Sequence, residues 1–400
     1  MNGRQIIIKN VRPLGKQTTD LLIKNGYIEA VGKCSDVGQF DEVIDAKGAI
    51  LLPGLVEAHT HLDKTLLGMG WRPHQAGSTL RDKIETERRL RREWKIDPYR
   101  QSKRQAILSL GNGSTAIRSH VDVDTECGIS GFNGVARTRD DLRDMIDIQI
   151  VAFPQSGLLT RAGTYDLMDQ VLQKGADVVG GLDPCSIDRD PKGHLDAIFG
   201  LAEKYGKPID IHLHELAELG AFSMELIIER TLAHSMQGKV TISHAFCLGM
   251  DNRDKAKSLI DALAKARIHI ATVATPYRPV PRIDDLKDAG VILCAGSDGI
   301  QDCWGPYGNA DILERAMHLA LRNNHRRDEE IEYALWCCTF GGALALNLSN
   351  YGISVGSKAD LVLVDAETVA HAVVSHPVRK LVMKSGKVVA RDGLYIKEAP

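Results

Sequence analysis

The stretch Leu51-Leu52-Pro53-Gly54-Leu55-Val56-Glu57-Ala58-His59-Thr60-His61-Leu62-Asp63 decides how the chain is read. Its apolar run predicts a buried strand, and the run ends in two histidines one residue apart. Side chains of a strand alternate between faces, so His59 and His61 point the same way. Two imidazoles converging at one strand end make half of a divalent-metal site. An ordinary strand–loop junction can carry the same pair, so the rest of the chain has to separate the two readings.

Outward from this strand, apolar segments alternate with amphipathic ones. Strand candidates lie at 52–58, 115–121, 148–153, 177–182, 209–213, 240–243, 268–273 and 291–295. Helical periodicity falls between them at 81–110, 139–145, 165–174, 194–205, 217–235, 253–265 and 283–288, and continues at 310–322 and 328–346. Eight strands alternating with helices predict an α/β chain whose parallel sheet closes into a (β/α)8 barrel. An open, doubly wound sheet is the alternative. It lacks a G-x-G-x-x-G after any strand, so no dinucleotide site is expected. The ends of the chain differ. Short β-rich runs at 5–9, 20–23, 27–31 and 42–45, and again at 361–364, 381–384 and 387–390, are split by turn signals such as Asn25-Gly26 and Ser385-Gly386. The expected organisation is a barrel at 53–348, flanked by two parts of one small β domain at 1–52 and 349–400.

Composition excludes several classes. Of 400 residues, 44% are hydrophobic and 26% charged, with a formal net charge of −2. This is ordinary globular composition, and it favours neither nucleic acid nor an anionic membrane as partner. No apolar run approaches the ~20 residues that span a bilayer. The basic run Arg88-Arg89-Leu90-Arg91-Arg92 lies among Glu85, Glu87 and Glu93 and reads as a solvated helix face. The eight cysteines form no C-x-x-C pair. With no signal-peptide core after Met1, they fit a reducing cytoplasm. A homo-oligomer is left open.

Chemistry in a barrel gathers at the C-terminal ends of its strands. Those ends read His59-Thr60-His61, Ser119-His120-Val121-Asp122, Phe153-Pro154-Gln155, Leu182-Asp183-Pro184, His212-Leu213-His214-Glu215, Ser243-His244 and Ser297-Asp298. Six of the fourteen histidines fall there. His59, His61, His212 and Asp298 make a metal set suited to one Zn2+ or Fe2+. Such an ion lowers the pKa of a water toward ~7 and yields a nucleophile at neutral pH. Glu215, three residues after His212, is the candidate proton shuttle. His244 is placed to orient the attacking water, and Asp298 to take its proton. His214 reads as a pocket residue and His120 as a support for its neighbours. Gln155 reads as a substrate contact. Ser114 and Ser119 lack nucleophile-elbow glycines, which disfavours serine hydrolysis.

These residues resemble the amidohydrolase superfamily, whose members join a metal-bearing (β/α)8 barrel to a small β-sandwich. The similarity spans nearly the whole chain and is strongest at 53–63, 115–124, 149–155, 209–215, 242–244 and 297–298. Within it the chain looks most like the cytosine deaminase and N-isopropylammelide amidohydrolase branch. Ile150-Val151-Ala152-Phe153-Pro154-Gln155 and Trp304 match that branch, and Gly181-Leu182-Asp183-Pro184 leans toward the ammelide enzyme. The resemblance implies one ion held by His59, His61, His212 and Asp298. No lysine ends the fourth strand, as binuclear relatives require. It also implies Glu215 as ring-protonating acid, His244 as assistant to the water, and Gln155 as reader of the ring's amide edge. The substrate-contact set is then Gln155, Trp304, Phe153, Asp183 and Leu80. Glu215 stands where the ammelide enzyme carries Asp, which tips the expectation toward deamination of a cytosine-like heterocycle with release of ammonia. Gly299 replaces the second acid of cytosine deaminase. That predicts extra room and one charge fewer, hence a substrate with an extra ring substituent, such as 5-methylcytosine, or another heteroaromatic amine like a triazine. N-alkylamine release from a triazine, and deamination of isocytosine, a pterin or creatinine, are the enzymatic alternatives. A metal-free scaffold is the non-enzymatic one.

Overall fold

The computed structural model describes residues 4–34 and 40–396. Eight parallel strands run in sequence order: β1 Leu55–Thr60, β2 Ser114–Asp122, β3 Asp147–Phe153, β4 Val178–Leu182, β5 Ile209–His212, β6 Val240–Ser243, β7 His269–Thr272 and β8 Leu293–Ala295. The ring closes where Asp298 N–H donates to the His59 carbonyl at 2.9 Å, just beyond β8. Helices follow the strands, and both faces of each strand are buried, hence the near-continuous apolar runs. This is the expected (β/α)8 barrel.

Both ends of the chain build one nine-stranded sheet beside it. Gln5–Pro13, Thr19–Lys24, Tyr27–Gly32 and Glu42–Asp45 come from the N-terminal part. Leu361–Val364, Arg379–Lys384, Lys387–Arg391 and Leu394–Tyr395 come from the C-terminal part. The seam is Ile50–Pro53, antiparallel to Leu361–Val364, with Ile50 opposite Val364 and Pro53 opposite Leu361. Leu51, Leu361 and Leu363 pack with Ile6, Ile8 and Leu21 in the sheet's own core. Ile50, Leu52, Val362 and Val364 face the other way and join the barrel core. A period-two strand buried on both faces looks like an unbroken apolar run.

The opening stretch is therefore two strands rather than one. The chain leaves the sheet at Pro53 and enters the barrel at Leu55, turning at Gly54. A Cβ on Gly54 would lie 2.1 Å from Thr115 Oγ1, so a side chain there would collide with β2. The long helix expected at 81–110 is likewise two, α1 Leu80–Glu93 and α2 Pro98–Gly111. The Asp97 side chain accepts from the Tyr99 and Arg100 N–H groups, and Pro98 occupies the first turn. The helix expected at 139–145 is Ser130–Leu142, α3, and starts earlier because Gly131 and Gly134 do not break it. A Cβ on Gly134 would lie 2.7 Å from Pro98 and Tyr99, so glycine permits close approach to α2. The basic run of α1 is a solvated face only in part. Arg91 is inward, paired with Asp122 at 2.7 Å and Asp63 at 3.1 Å. Arg89 and Arg92 are the exposed pair. Among the described residues no helix is long and apolar enough to cross a membrane.

Candidate active site and metal centre

The C-terminal rim of the barrel gathers five buried imidazoles, with a sixth above them. The His59 and His212 rings lie 4.6 Å apart, His61 and His212 5.5 Å, and His59 and His61 5.7 Å. His120 packs 4.2 Å from His59, and His244 lies 4.9 Å from it. Asp298 Oδ1 sits 3.2 Å from His61 Nε2 and 3.7 Å from His59 Nε2. Strand parity explains the convergence: 57, 59 and 61 share one face of β1, 118, 120 and 122 one face of β2, and 210 and 212 one face of β5.

The residues present fit a divalent ion. Among the described residues, His59 Nε2, His61 Nδ1 and both ring nitrogens of His212 and His244 are buried without a hydrogen-bond partner. Buried polar atoms are nearly always paired, so this cluster of bare nitrogens marks a place prepared for something else. Ligand atoms of His59, His61 and His212 lie within 4.8 Å of one another, as do those of His59, His244 and Asp298. Burial pushes His61 down to about 4 and holds His212 and His244 well below the ordinary histidine range. The lone pairs are thus available at neutral pH. Burial would raise Asp298, but the imidazoles of His59 and His61 facing its carboxylate hold it well below the usual carboxylate range. Several of these strand ends adopt left-handed backbone: Asp298 at φ 62°, His244 at 71° and Asp183 at 35°. For a side chain other than glycine that conformation costs about 1–2 kcal/mol, and such strain clusters at working sites.

Leu80, Phe153 and Trp304 come together in one apolar wall with Ile84, Leu182 and Ile187. Phe153 stacks on His212 at 4.1 Å. Gln155 Nε2 and Trp304 Nε1 are buried donors with no acceptor among the described residues. Asp183 is otherwise engaged. It accepts from His214 N at 2.6 Å, His214 Nδ1 at 2.8 Å and Glu215 N at 3.3 Å. His214, so held, stacks on His244 at 4.3 Å. The Glu215 carboxylate accepts from the Cys185 and Ser186 N–H groups at 2.9 and 2.7 Å and from the Ser223 hydroxyl. It is anchored to the turn after β4, with its oxygens in use, rather than swung over the histidines.

Two findings correct the expectations. The space beside Gly299 is not vacant: a Cβ there would lie 1.9 Å from Asp302 Oδ2. Asp302 is buried and accepts from Trp304 N at 2.7 Å and Gly305 N at 3.0 Å. Its carboxylate fills the room that Gly299 predicted. Sequence reading also passed over a buried ionic cluster. Lys64 Nζ donates to Asp122 at 3.2 Å and Glu87 at 3.3 Å, and lies 5.3 Å from the Trp304 ring. Burial disfavours its charge, yet Asp122 and Glu87 hold Lys64 above the ordinary lysine range. The signal was its position, three residues past His61 on the same rim. Behind this cluster a cavity of about 160 Å3 is lined by Glu87, Arg91, Asp122, Cys127, Gln155 and Ser156. Glu57 was missed as well. It accepts from Ser297 N at 2.8 Å and ties β1 to the end of β8, and burial pushes its carboxyl up to about 7.

Comparison with known proteins agrees with this arrangement. Residues 42–390 match the model of the amidohydrolase family. N-isopropylammelide isopropyl amidohydrolase of Pseudomonas sp. (strain ADP) is 30% identical, over 94% of this chain and 98% of its own. The crystal structure of N-isopropylammelide isopropylaminohydrolase from Burkholderia multivorans superposes with a TM-score of 0.95 and 46% identity, over 98% of this chain and 100% of that one. The 5-methylcytosine deaminase of Klebsiella pneumoniae, liganded with 5-fluorocytosine, gives 0.85 and 26% over 99% of both chains. A barrel with its imidazoles at the C-terminal rim, a second sheet from both chain ends and a family match over most of the length lead to one conclusion: this chain belongs to the amidohydrolase family and is a hydrolase of carbon–nitrogen bonds other than peptide bonds.

Proposed function

We propose that the enzyme hydrolyses the exocyclic C–N bond of an N-alkylamino, oxo-substituted triazine and releases the alkylamine. The observation that carries this reading is the end-to-end likeness, at 46% identity, to an N-isopropylammelide isopropylaminohydrolase. The pocket supports it. Gln155 Nε2 and Trp304 Nε1 are donors in want of acceptors, and an oxo-rich ring supplies them. Leu80, Phe153 and Trp304 offer the ring an apolar wall.

In this reading His59, His61, His212 and Asp298 would hold one Zn2+ or Fe2+. The ion supplies acidification of a water toward pKa ~7. Asp298 and His244 would orient the attacking water and take its proton. His214, fixed through Nδ1 by Asp183 and stacked on His244, turns its other nitrogen away from Asp183. It is the proposed proton donor to the departing amine. Lys64 and its carboxylates brace the Trp304 side of the pocket.

A second reading is deamination of a cytosine-like ring with Glu215 as the acid. It is favoured by the 26% identical 5-methylcytosine deaminase and by the burial that raises the Glu215 carboxyl above its ordinary value. It requires Glu215 to leave the Cys185 and Ser186 amides. Steady-state kcat/KM for N-isopropylammelide against cytosine, 5-methylcytosine, isocytosine and pterin separates the two. The first reading expects the alkylaminotriazine to exceed every aminopyrimidine, and the reverse order overturns it.

A further inference from the structure

Below the rim, a chain of buried side chains ends on His59. Its Nδ1 lies 2.9 Å from Ser243 Oγ, and Ser243 Oγ lies 2.6 Å from Asp210 Oδ1. Asp210 Oδ2 accepts from Arg118 Nη1 at 3.0 Å. Arg118 is itself fixed by Gln149 Oε1 at 3.1 Å and the Ala345 carbonyl at 2.8 Å. His59, Ser243 and Asp210 have no exposed surface, and Arg118 is 2% exposed.

Hydrogen-bond bookkeeping sets the direction of the chain. Asp210, paired with a guanidinium, is an acceptor only. The Ser243 hydroxyl hydrogen must therefore go to Asp210. Ser243 Oγ then has only lone pairs to offer His59, so His59 Nδ1 must carry the hydrogen. That leaves the lone pair on Nε2, the nitrogen 3.7 Å from Asp298 and without any other partner.

We propose that Ser243 and Asp210, anchored by Arg118, are positioning residues that lock His59 in the tautomer and orientation needed to ligate the ion through Nε2. The inference rests on the reading of His59 as a ligand. It also settles a second grouping. His59, His120 and Asp210 bring ligand atoms within 4.8 Å and resemble a deeper cation site. With Arg118 already on Asp210 and a hydrogen on His59 Nδ1, that grouping has fewer lone pairs to offer, and one ion is expected among the described residues.

The test uses the full chain loaded with Co2+ or Zn2+. Affinity is read by chelator competition, stoichiometry by elemental analysis, and ligand geometry by the visible absorption of the Co2+ form. Ser243→Ala and Asp210→Asn are expected to bind ~10–100-fold more weakly, with a changed Co2+ spectrum. Ser243→Thr, which keeps the hydroxyl, is expected to restore both. Thermal unfolding of metal-free Ser243→Ala checks that the fold persists, and Ser243→Thr serves if it does not. If His59→Ala keeps full affinity, the ligand reading fails. If His59→Ala loses the ion while Ser243→Ala and Asp210→Asn keep native affinity and spectrum, the positioning role fails. Two tightly held ions per chain, one of them lost in Asp210→Asn, also overturn it.

Discussion

The two ends of the barrel treat buried polar groups in opposite ways. At the seam with the small sheet, Lys384 Nζ meets Asp147 and Asp360 at 2.7 Å each and the Thr115 carbonyl at 3.3 Å. Arg379 donates to the Asn112 and Pro377 carbonyls at 2.9 and 2.7 Å and pairs with Asp311. Those charges are partnered in full. At the rim, His59, His61, His212 and His244 are as deeply buried, yet keep bare nitrogens. Burial alone does not tell a working residue from a structural one. The difference lies in satisfaction: the seam charges are paired in full, and the rim imidazoles keep nitrogens free for a ligand.

Breaking the rim should cost function far more than stability. His212→Ala is expected to lose its metal to background by elemental analysis, and turnover with it, while circular dichroism stays native. Next in size is the proton donor. His214→Asn is expected to lower kcat by ~10²–10⁴-fold with metal content intact, and Glu215→Gln by less. The reverse order would move the acid role to Glu215 and favour the deaminase reading.

Breaking the seam should do the opposite. Lys384→Met leaves two carboxylates without their cation, and removing one partner of a buried pair costs about 3–5 kcal/mol. Denaturant unfolding should show that loss, with kcat/KM per folded molecule unchanged. The smallest expected effect is Gly54→Ala, which pushes Thr115 aside. Overpacking of this kind costs about 1–3 kcal/mol and should appear as a lower Tm with native metal content.

The same contrast explains what could be read from the sequence. The barrel was legible because parallel strands bury both faces and because histidines mark strand after strand at their ends. His59, His61, His212, His244 and Asp298 do meet at one rim. The boundary at Gly54 was hidden because the seam strand and β1 are both buried on two sides, so apolarity runs straight through the turn. The break at Asp97-Pro98 was visible as a cap and a first-turn proline, but periodicity on either side bridged it. Asp302 could not be foreseen, since only a folded loop brings its carboxylate to the space beside Gly299. Arg118, Asp210 and Ser243 share strand faces with His120, His212 and Thr241, and parity could have found them. Their pairing across three strands needed the closed barrel.

The most direct measurement is the product. The metal-loaded enzyme is incubated with N-isopropylammelide, and isopropylamine and ammonia are quantified by mass spectrometry beside a parallel reaction on cytosine. Stoichiometric isopropylamine, with little or no ammonia from cytosine, is the expected result. Ammonia from cytosine with no isopropylamine from the triazine would contradict it.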